Sequence, residues 1–422
     1  MILDCSCFCN IWNGTSFGNI IGIVSLVITY FALRYAYKSN KNSEQILKDI
    51  KQDINKLPQE IAKIAVGLII SKPNEEDRTQ QEQQIIQTAV ENNTNPQTAE
   101  EWFLKGYAAQ EKKDYEEAIE CYEKAIDLKP DYAEAYCNMG VAYAEGKIDY
   151  EVAIKCYEKA IELKPDLAGA YNNMGVAYAE WKQDYENAIK CYDKAIELKP
   201  DFAEAYFFMG AAYDAWNWQY EKAIECYDKA IELKPDFAEA YNNMGNAYQN
   251  WNWQYQKAIE CYEKAVKLKP DYAEIYSNMG VAYAQGKQDY EKAIECYEKA
   301  IELDHDCANA YNNMGVAYKN WNGQHEKAIE CYEKAIELDH DLADAYCNMG
   351  VAYAEGKQEH EKAIECYEKA IELNPDYAKA YYNMGVAYLE SGDEYQGESC
   401  MYQAAQRGYE PAKKWLKDNN IE

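Results

Sequence analysis

The chain has 422 residues, with 73 acidic against 43 basic side chains, a formal net charge of −30 and a mean hydropathy of −0.64. That charge argues against a nucleic-acid binder, which needs clustered Lys and Arg to displace counterions, and only Arg34, Arg78 and Arg407 could form bidentate anion clamps. Fifteen cysteines in so long a chain are not a small disulfide framework, and with 41 tyrosines they point to a repeated unit.

Residues 1–16 form a short tail carrying Cys5, Cys7 and Cys9. No charged residue occurs from Cys5 to Leu33, and residues 17–37 are expected to be a transmembrane helix, since about 20 apolar residues span a bilayer and Arg34 can snorkel. The alternative, a cleaved signal peptide, lacks a basic residue before the apolar run and a small-x-small site after it. Arg34, Lys38, Lys41, Lys48, Lys51 and Lys56 all follow the span, which places the rest of the chain on the cytoplasmic side of a single-pass protein. Unpaired thiols fit that reducing side.

Residues 43–70 read as a stalk. Leu47, Ile50, Ile54, Leu57, Ile61, Ile64 and Leu68 alternate spacings of three and four, the seam of a coiled coil that would join copies of the chain. Pro58 interrupts that seam. The equal alternative is two amphipathic helices, the second starting near Pro58 and folding onto the first repeat or the bilayer surface. Residues 71–98 are rich in Glu, Gln and Asn and read as a polar linker with one short helix.

Residues 99–411 repeat. Met139 recurs at 35-residue intervals as Met174, Met209, Met244, Met279, Met314, Met349 and Met384, each followed by Gly. Cys121 recurs likewise up to Cys366, and Pro130 up to Pro375, with His305 and His340 standing in the Pro slot. Within one copy, Ala135, Tyr136, Met139, Gly140 and Tyr143 have helical spacing, and Gly146-Lys147 ends that run. Tyr150, Ala153, Ile154, Tyr157, Ala160 and Ile161 predict a second amphipathic helix, stopped at Lys164-Pro165. Asp131 with Glu134, and likewise Asp201/Glu204, Asp236/Glu239 and Asp271/Glu274, predict capping boxes for the first helices. Residues 412–422 predict a capping helix in which Trp415 and Leu416 cover the open end of the stack.

Tyr136, Met139, Gly140, Tyr143, Ala153, Tyr157, Ala160 and Pro165 together resemble the tetratricopeptide repeat. The resemblance implies an all-α, right-handed solenoid of about nine helix-turn-helix units. Copies two to eight are 35 residues long where the family unit has 34, and the spacing from Gly140 to Ala153 puts the extra residue in the turn between the helices.

No Gly-rich phosphate loop, metal-type Cys pair or nucleophile motif occurs, so neither an enzyme nor a cofactor is expected. The repeated cysteines read as small apolar fillers. In superhelical members of the family an Asn ladder on the first helices holds an extended peptide in the concave groove. Here that place carries Asn138, Asn173, Asn243, Asn278, Asn313, Asn348 and Asn383, with Phe208 in the fourth copy. Each amide can donate to and accept from a peptide backbone; the alternative is that Asn is merely common in this slot. Phe207 and Phe208 are expected to add specificity, and the tryptophans of the turns to pack over the inserted residue. The basic clamp by which the family holds chaperone tails is not matched, because Phe103, Tyr107, Asn138, Gly169 and Asn173 stand in its places. Residues 99–422 hold 63 acidic and 34 basic residues, which favours a neutral or basic protein partner. The resulting expectation is a membrane-anchored scaffold or adaptor that binds protein segments. The alternatives are a self-assembling structural protein or a regulatory subunit of an enzyme.

Overall fold

A computed structural model describes residues 59–71, 78–93, 95–146, 148–419 and 421. Among them every regular element is a helix. They divide into two compact units, the first ending at Pro200 and the second running from Asp201 to Glu422. The expected membrane span at 17–37 and residues 43–58 of the stalk lie outside the described residues. No described helix is long and apolar enough to cross a membrane.

The first unit contains α1 (59–71), α2 (Gln80–Asn92), α3 (Ala99–Glu111), α4 (Tyr115–Leu128), α5 (Ala133–Glu145), α6 (Tyr150–Leu163), α7 (Ala168–Lys182) and α8 (Tyr185–Leu198). The second contains α9 (Ala203–Ala215), α10 (Tyr220–Leu233), α11 (Ala238–Asn250), α12 (Tyr255–Leu268), α13 (Ala273–Ala282), α14 (Tyr290–Leu303), α15 (Ala308–Asn320), α16 (His325–Leu338), α17 (Ala343–Ala352), α18 (His360–Leu373), α19 (Ala378–Ser391), α20 (Glu394–Gln406) and α21 (Glu410–Asp418). From α3 to α20 the helices form consecutive antiparallel-type pairs joined by short turns, each pair one repeat. The short α21 closes the second unit, burying Ala412 and Leu416 against Met401 and Ala404.

Eight of the nine repeats are locked by one glycine and one tyrosine; in the last, Gly385 faces Gly397, Cys400 and Met401 instead. Tyr122, Tyr157, Tyr192, Tyr227, Tyr262, Tyr297, Tyr332 and Tyr367 of the second helices are at most 2% exposed. Each lies over the motif glycine of its own first helix: a Cβ added at Gly106, Gly140, Gly175, Gly210, Gly245, Gly280, Gly315 or Gly350 would sit 2.5–2.8 Å from the ring. The alanines that follow in the second helix, such as Ala153 and Ala160, are wholly buried and let the next helix approach. Burying one such ring contributes about 2–3 kcal/mol, so the repeated tyrosine is a main source of cohesion.

Helix α1 decides between the two readings of the stalk over its own length. Ala62, Ala65, Val66 and Ile69 are buried in one cluster with Ile86 and Ala89 of α2 and with Phe103 and Leu104 of α3. Ile64, a member of the expected seam, is exposed. The helix after Pro58 therefore folds onto the first repeat, through Ala62, Ala65, Val66 and Ile69, with Ile61 and Leu68 of the seam partly buried against the same cluster. The linker holds its expected helix, α2, started by a capping box between Thr79 and Glu82.

The capping boxes expected at the repeats do not form. Helix α5 starts at Ala133 with Tyr132 as its N-cap and no side-chain cap, and the other first helices from α7 onward start the same way. Glu134 instead meets Lys164 at 2.9 Å, Glu204 meets Lys234 at 3.5 Å and Glu239 meets Lys269 at 2.9 Å, tying the start of one repeat to its end. Side-chain caps occur on second helices, where Asp114, Asp149, Asp184, Asp289 and Asp393 accept from backbone N–H groups of the first turn.

The extra residue of the 35-residue unit is absorbed in two ways. Where the turn reads Trp181-Lys-Gln-Asp, Gly286-Lys-Gln-Asp or Gly356-Lys-Gln-Glu, the helix widens at its end. Gln183, Gln288 and Gln358 turn left-handed there and donate five residues back, to Tyr178, Tyr283 and Tyr353. Where it reads Trp-Asn-X-Gln, two successive residues are left-handed: Asn217 and Trp218, Asn252 and Trp253, Asn322 and Gly323. The glutamine then donates its side-chain amide back to the tryptophan carbonyl, at 3.0–3.1 Å for Gln219, Gln254 and Gln324.

Candidate functional site

The ladder residues Asn138, Asn173, Asn243, Asn278, Asn313, Asn348 and Asn383 all lie half-buried in the middle of first helices. Helical periodicity puts them one position after a second column: Cys137, Asn172, Asn242, Ser277, Asn312, Cys347 and Tyr382. The two columns are stitched together. Asn278 donates its Nδ2 to Asn242 Oδ1 at 3.2 Å, and Asn348 donates to Asn312 Oδ1 at 3.1 Å. Asn173 and Asn383 make the same step, 36 residues back, onto the sulfurs of Cys137 and Cys347, at 4.0 and 3.7 Å. The acceptors Asn242 and Asn312 are buried, which makes these inter-repeat bonds worth more than surface ones, whereas Asn172 Oδ1 is buried without a partner, Phe208 standing 36 residues on.

The chemical consequence is specific. A primary amide has two N–H donors and an acceptor oxygen, so a ladder Asn that spends one N–H on the scaffold keeps a donor and an acceptor in a fixed orientation. That is the pair a peptide backbone needs.

The row opens onto two clefts in the second unit. One, of about 450 Å³, is lined by Asn243 and Asn278 together with Asp214, Trp218 and Gln249. The other, of about 510 Å³, is lined by Asn313 and Asn320 with Trp253, Tyr255 and Tyr290.

The aromatic residues divide unevenly. Phe207 is held by packing, with its ring 4.8 Å from Phe237, 6.0 Å from Tyr227 and 5.3 Å from Phe208. Phe208 stands half-buried in the ladder's own place. Trp216, Trp251 and Trp321 are half-buried beside their turns, as expected. Trp218 and Trp253 depart from that expectation: they are 71% and 69% exposed. Sequence reasoning also missed Asp214 and Gln249. The signal was present, because the same slot is Ala144, Ala179, Ala284 and Ala354 in other copies.

Burial pushes the Asp214 carboxyl up to about 6. Burial also pushes the repeat thiols up, to about 11 at Cys156 and Cys191 and to about 12 at Cys261, Cys296, Cys331 and Cys366, far from a reactive thiolate. His360 Nδ1 lies 3.6 Å from a Glu390 carboxylate oxygen, and no metal-type cluster of His, Cys, Asp and Glu occurs among the described residues.

A protein-family model described as TPR repeat matches eight segments: residues 106–145, 149–180, 182–215, 219–250, 254–286, 287–320, 322–355 and 357–392. No curated protein matches the chain. Among solved structures the chain is similar to YrrB, described as a TPR protein with an unusual peptide-binding site. The two share 30% identity over 46% of this chain and 96% of that one, with a TM-score of 0.37. It is similar to MamA of Desulfovibrio magneticus RS-1 at 25% identity, over 42% of this chain and 96% of that one, with a TM-score of 0.38. It is also similar to the APC/C hetero-tetramer Cut9–Hcn1 at 16% identity, over 79% of this chain and 80% of that one, with a TM-score of 0.49.

Proposed function

From the premise that this chain belongs to the tetratricopeptide repeat family, whose fold is a protein-interaction scaffold, we propose that it holds extended segments of partner proteins along its asparagine row. The observation that carries the proposal is the stitched ladder. Amides anchored at a fixed step, Asn278 on Asn242, Asn348 on Asn312, and Asn173 and Asn383 on cysteine sulfurs, each present a spare donor and acceptor. Asn138, Asn173, Asn243, Asn278, Asn313, Asn348 and Asn383 read backbone, and Phe208, backed by Phe207, replaces one amide with an apolar contact. The partner segment is neutral or basic, in keeping with the excess of 63 acidic over 34 basic residues across 99–422.

Attachment to a membrane through residues 17–37, with the array on the cytoplasmic side, completes the proposal. Its support is the uncharged run from Cys5 to Leu33 and the basic residues after it. We read the chain as non-enzymatic, in keeping with cysteine thiols held protonated by burial.

The test is a photo-crosslinking amino acid placed in cells at position 313 on the ladder, and at Glu330 on the exposed face of α16. Position 313 should trap a defined segment of a partner that position 330 does not. Equal labelling from both positions contradicts the proposal.

A further inference from the structure

Four observations meet in the cleft lined by Asp214, Trp218, Asn243, Gln249 and Asn278. First, Asp214 is half-buried and forms no ion pair among the described residues, and its slot is alanine in four of the eight other copies, so the fold does not require an acid there. Second, Gln249 Oε1 is buried without a hydrogen-bond partner. A buried carbonyl oxygen and a desolvated carboxylate in one cleft are both acceptors, and the Tyr227 hydroxyl of the same lining, itself buried and unpartnered, donates to neither.

Third, Trp218 is 71% exposed, with its ring tilted 5.9 Å from Tyr220, and its backbone is left-handed at φ +56°. That conformation is costly for a bulky residue, and the equivalent place one and three copies on shows the contrast. Trp253 repeats the exposed ring, whereas Gly323 adopts φ +62° without side-chain cost. Folding is served by glycine at this place, so an exposed indole retained against backbone strain points to a ligand. Fourth, the ladder residues Asn243 and Asn278 border the same cleft. A chain held by the ladder would therefore drop a side chain into it.

We propose that this cleft is a specificity pocket for a lysine or arginine side chain of the bound segment, which rests on the ladder reading above. Asp214 supplies the opposite charge and Gln249 accepts a hydrogen bond. Trp218 presents its ring face to the cation, which attracts ammonium and guanidinium groups alike. The neighbouring cleft has Trp253 in the equivalent place but alanine at position 284 and no carboxylate in its lining. The charge preference therefore belongs to one repeat, and the register of a partner is set by where its basic residue falls.

The experiment uses the full chain with 15N-labelled tryptophan, the Trp218 indole N–H signal being assigned by its loss in Trp218→Phe. N-methylguanidinium and n-butylammonium chlorides are titrated as mimics of the two side chains, at constant ionic strength, against n-butanol. The expected result is a saturable shift of the Trp218 signal with either cation, at least fivefold weaker in Asp214→Asn and not seen with butanol. No saturable shift, or the same shift in Asp214→Asn, overturns the pocket. The mimics have no peptide backbone, so failure here is distinct from failure of the ladder. Ladder failure is read instead from partner capture by an Asn243→Ala/Asn313→Ala variant.

Discussion

At the scale of single residues, the ladder asparagines are not equivalent. Asn278 holds a buried acceptor, Asn242 Oδ1, at 3.2 Å, whereas the Asn313 side chain makes no hydrogen bond among the described residues. Asn278→Ala orphans that oxygen and should cost about 1–3 kcal/mol by urea denaturation, while Asn313→Ala should fall within about 0.5 kcal/mol of the parent. Among the motif glycines Gly245 meets the strictest contact, with an added Cβ 2.5 Å from Tyr262 Cε1. Gly245→Ala should destabilise by about 1–3 kcal/mol even though alanine is the better helix former, because the overpacking exceeds the propensity gain of about 1 kcal/mol.

Asp214 gives a prediction with a sign in pH. Its folded carboxyl is raised by burial from 3.8 to about 6. The native state therefore binds more protons than the unfolded chain between those values. Stability contributed by this group falls as pH rises through that window, and the penalty persists at neutral pH. Asp214→Asn should accordingly stabilise the protein by about 1–2 kcal/mol at pH 7, discounted for partial exposure, and by nothing below about pH 4. Thermal melts at the two pH values check it. A residue that costs stability where alanine would serve is what a binding site looks like.

At the scale of elements, the turns carry the departure from a 34-residue unit. Gln183, Gln288 and Gln358 absorb the extra residue at a widened helix end, and Trp218, Trp253 and Gly323 absorb it as a second left-handed residue. Replacing Trp218 or Trp253 by Gly should leave stability unchanged or raise it by about 1 kcal/mol, measured by urea denaturation. A loss above 1 kcal/mol would mean that the indole packs in solution and is not presented.

These elements also show what the sequence could disclose. The helices, the Gly–Tyr lock and the buried cysteines follow from periodicity, because one apolar stripe per helix leaves a single way to stack. The capping boxes were misplaced because Asp131 and Glu134 have the right spacing but tertiary contact claims Glu134 for Lys164. The stalk seam had two readings because Ile61, Ile64 and Leu68 fit a heptad while Ala62, Ala65 and Val66 fit a face against the first repeat. Only the burial of the alanines separates them. The ladder was legible as a column of asparagines. Its step onto Asn242 and Asn312 was not, since pairing 36 residues away depends on how successive helices are offset. Asp214 and Gln249 stood out only against the alanines of the sister copies.

At the scale of the whole molecule, the −30 charge is carried almost wholly by the repeats, on exposed faces where Lys and Glu pair three residues apart, as Lys299 with Glu302 and Lys334 with Glu337. Such exposed pairs, screened by water, contribute little, so cohesion rests on the tyrosine and alanine interior and the charge is free to steer partners. A basic segment should accordingly associate more slowly as salt is raised, while a backbone-held segment should keep most of its lifetime.

The central claim is that asparagine amides hold a partner's backbone. The direct measurement is the affinity of the segment crosslinked from position 313 for the full chain and for Asn243→Ala/Asn313→Ala, with both melting curves recorded. Binding at least about tenfold weaker, with melting temperatures within a few degrees, is the predicted result. Unchanged affinity in a folded double variant would contradict it.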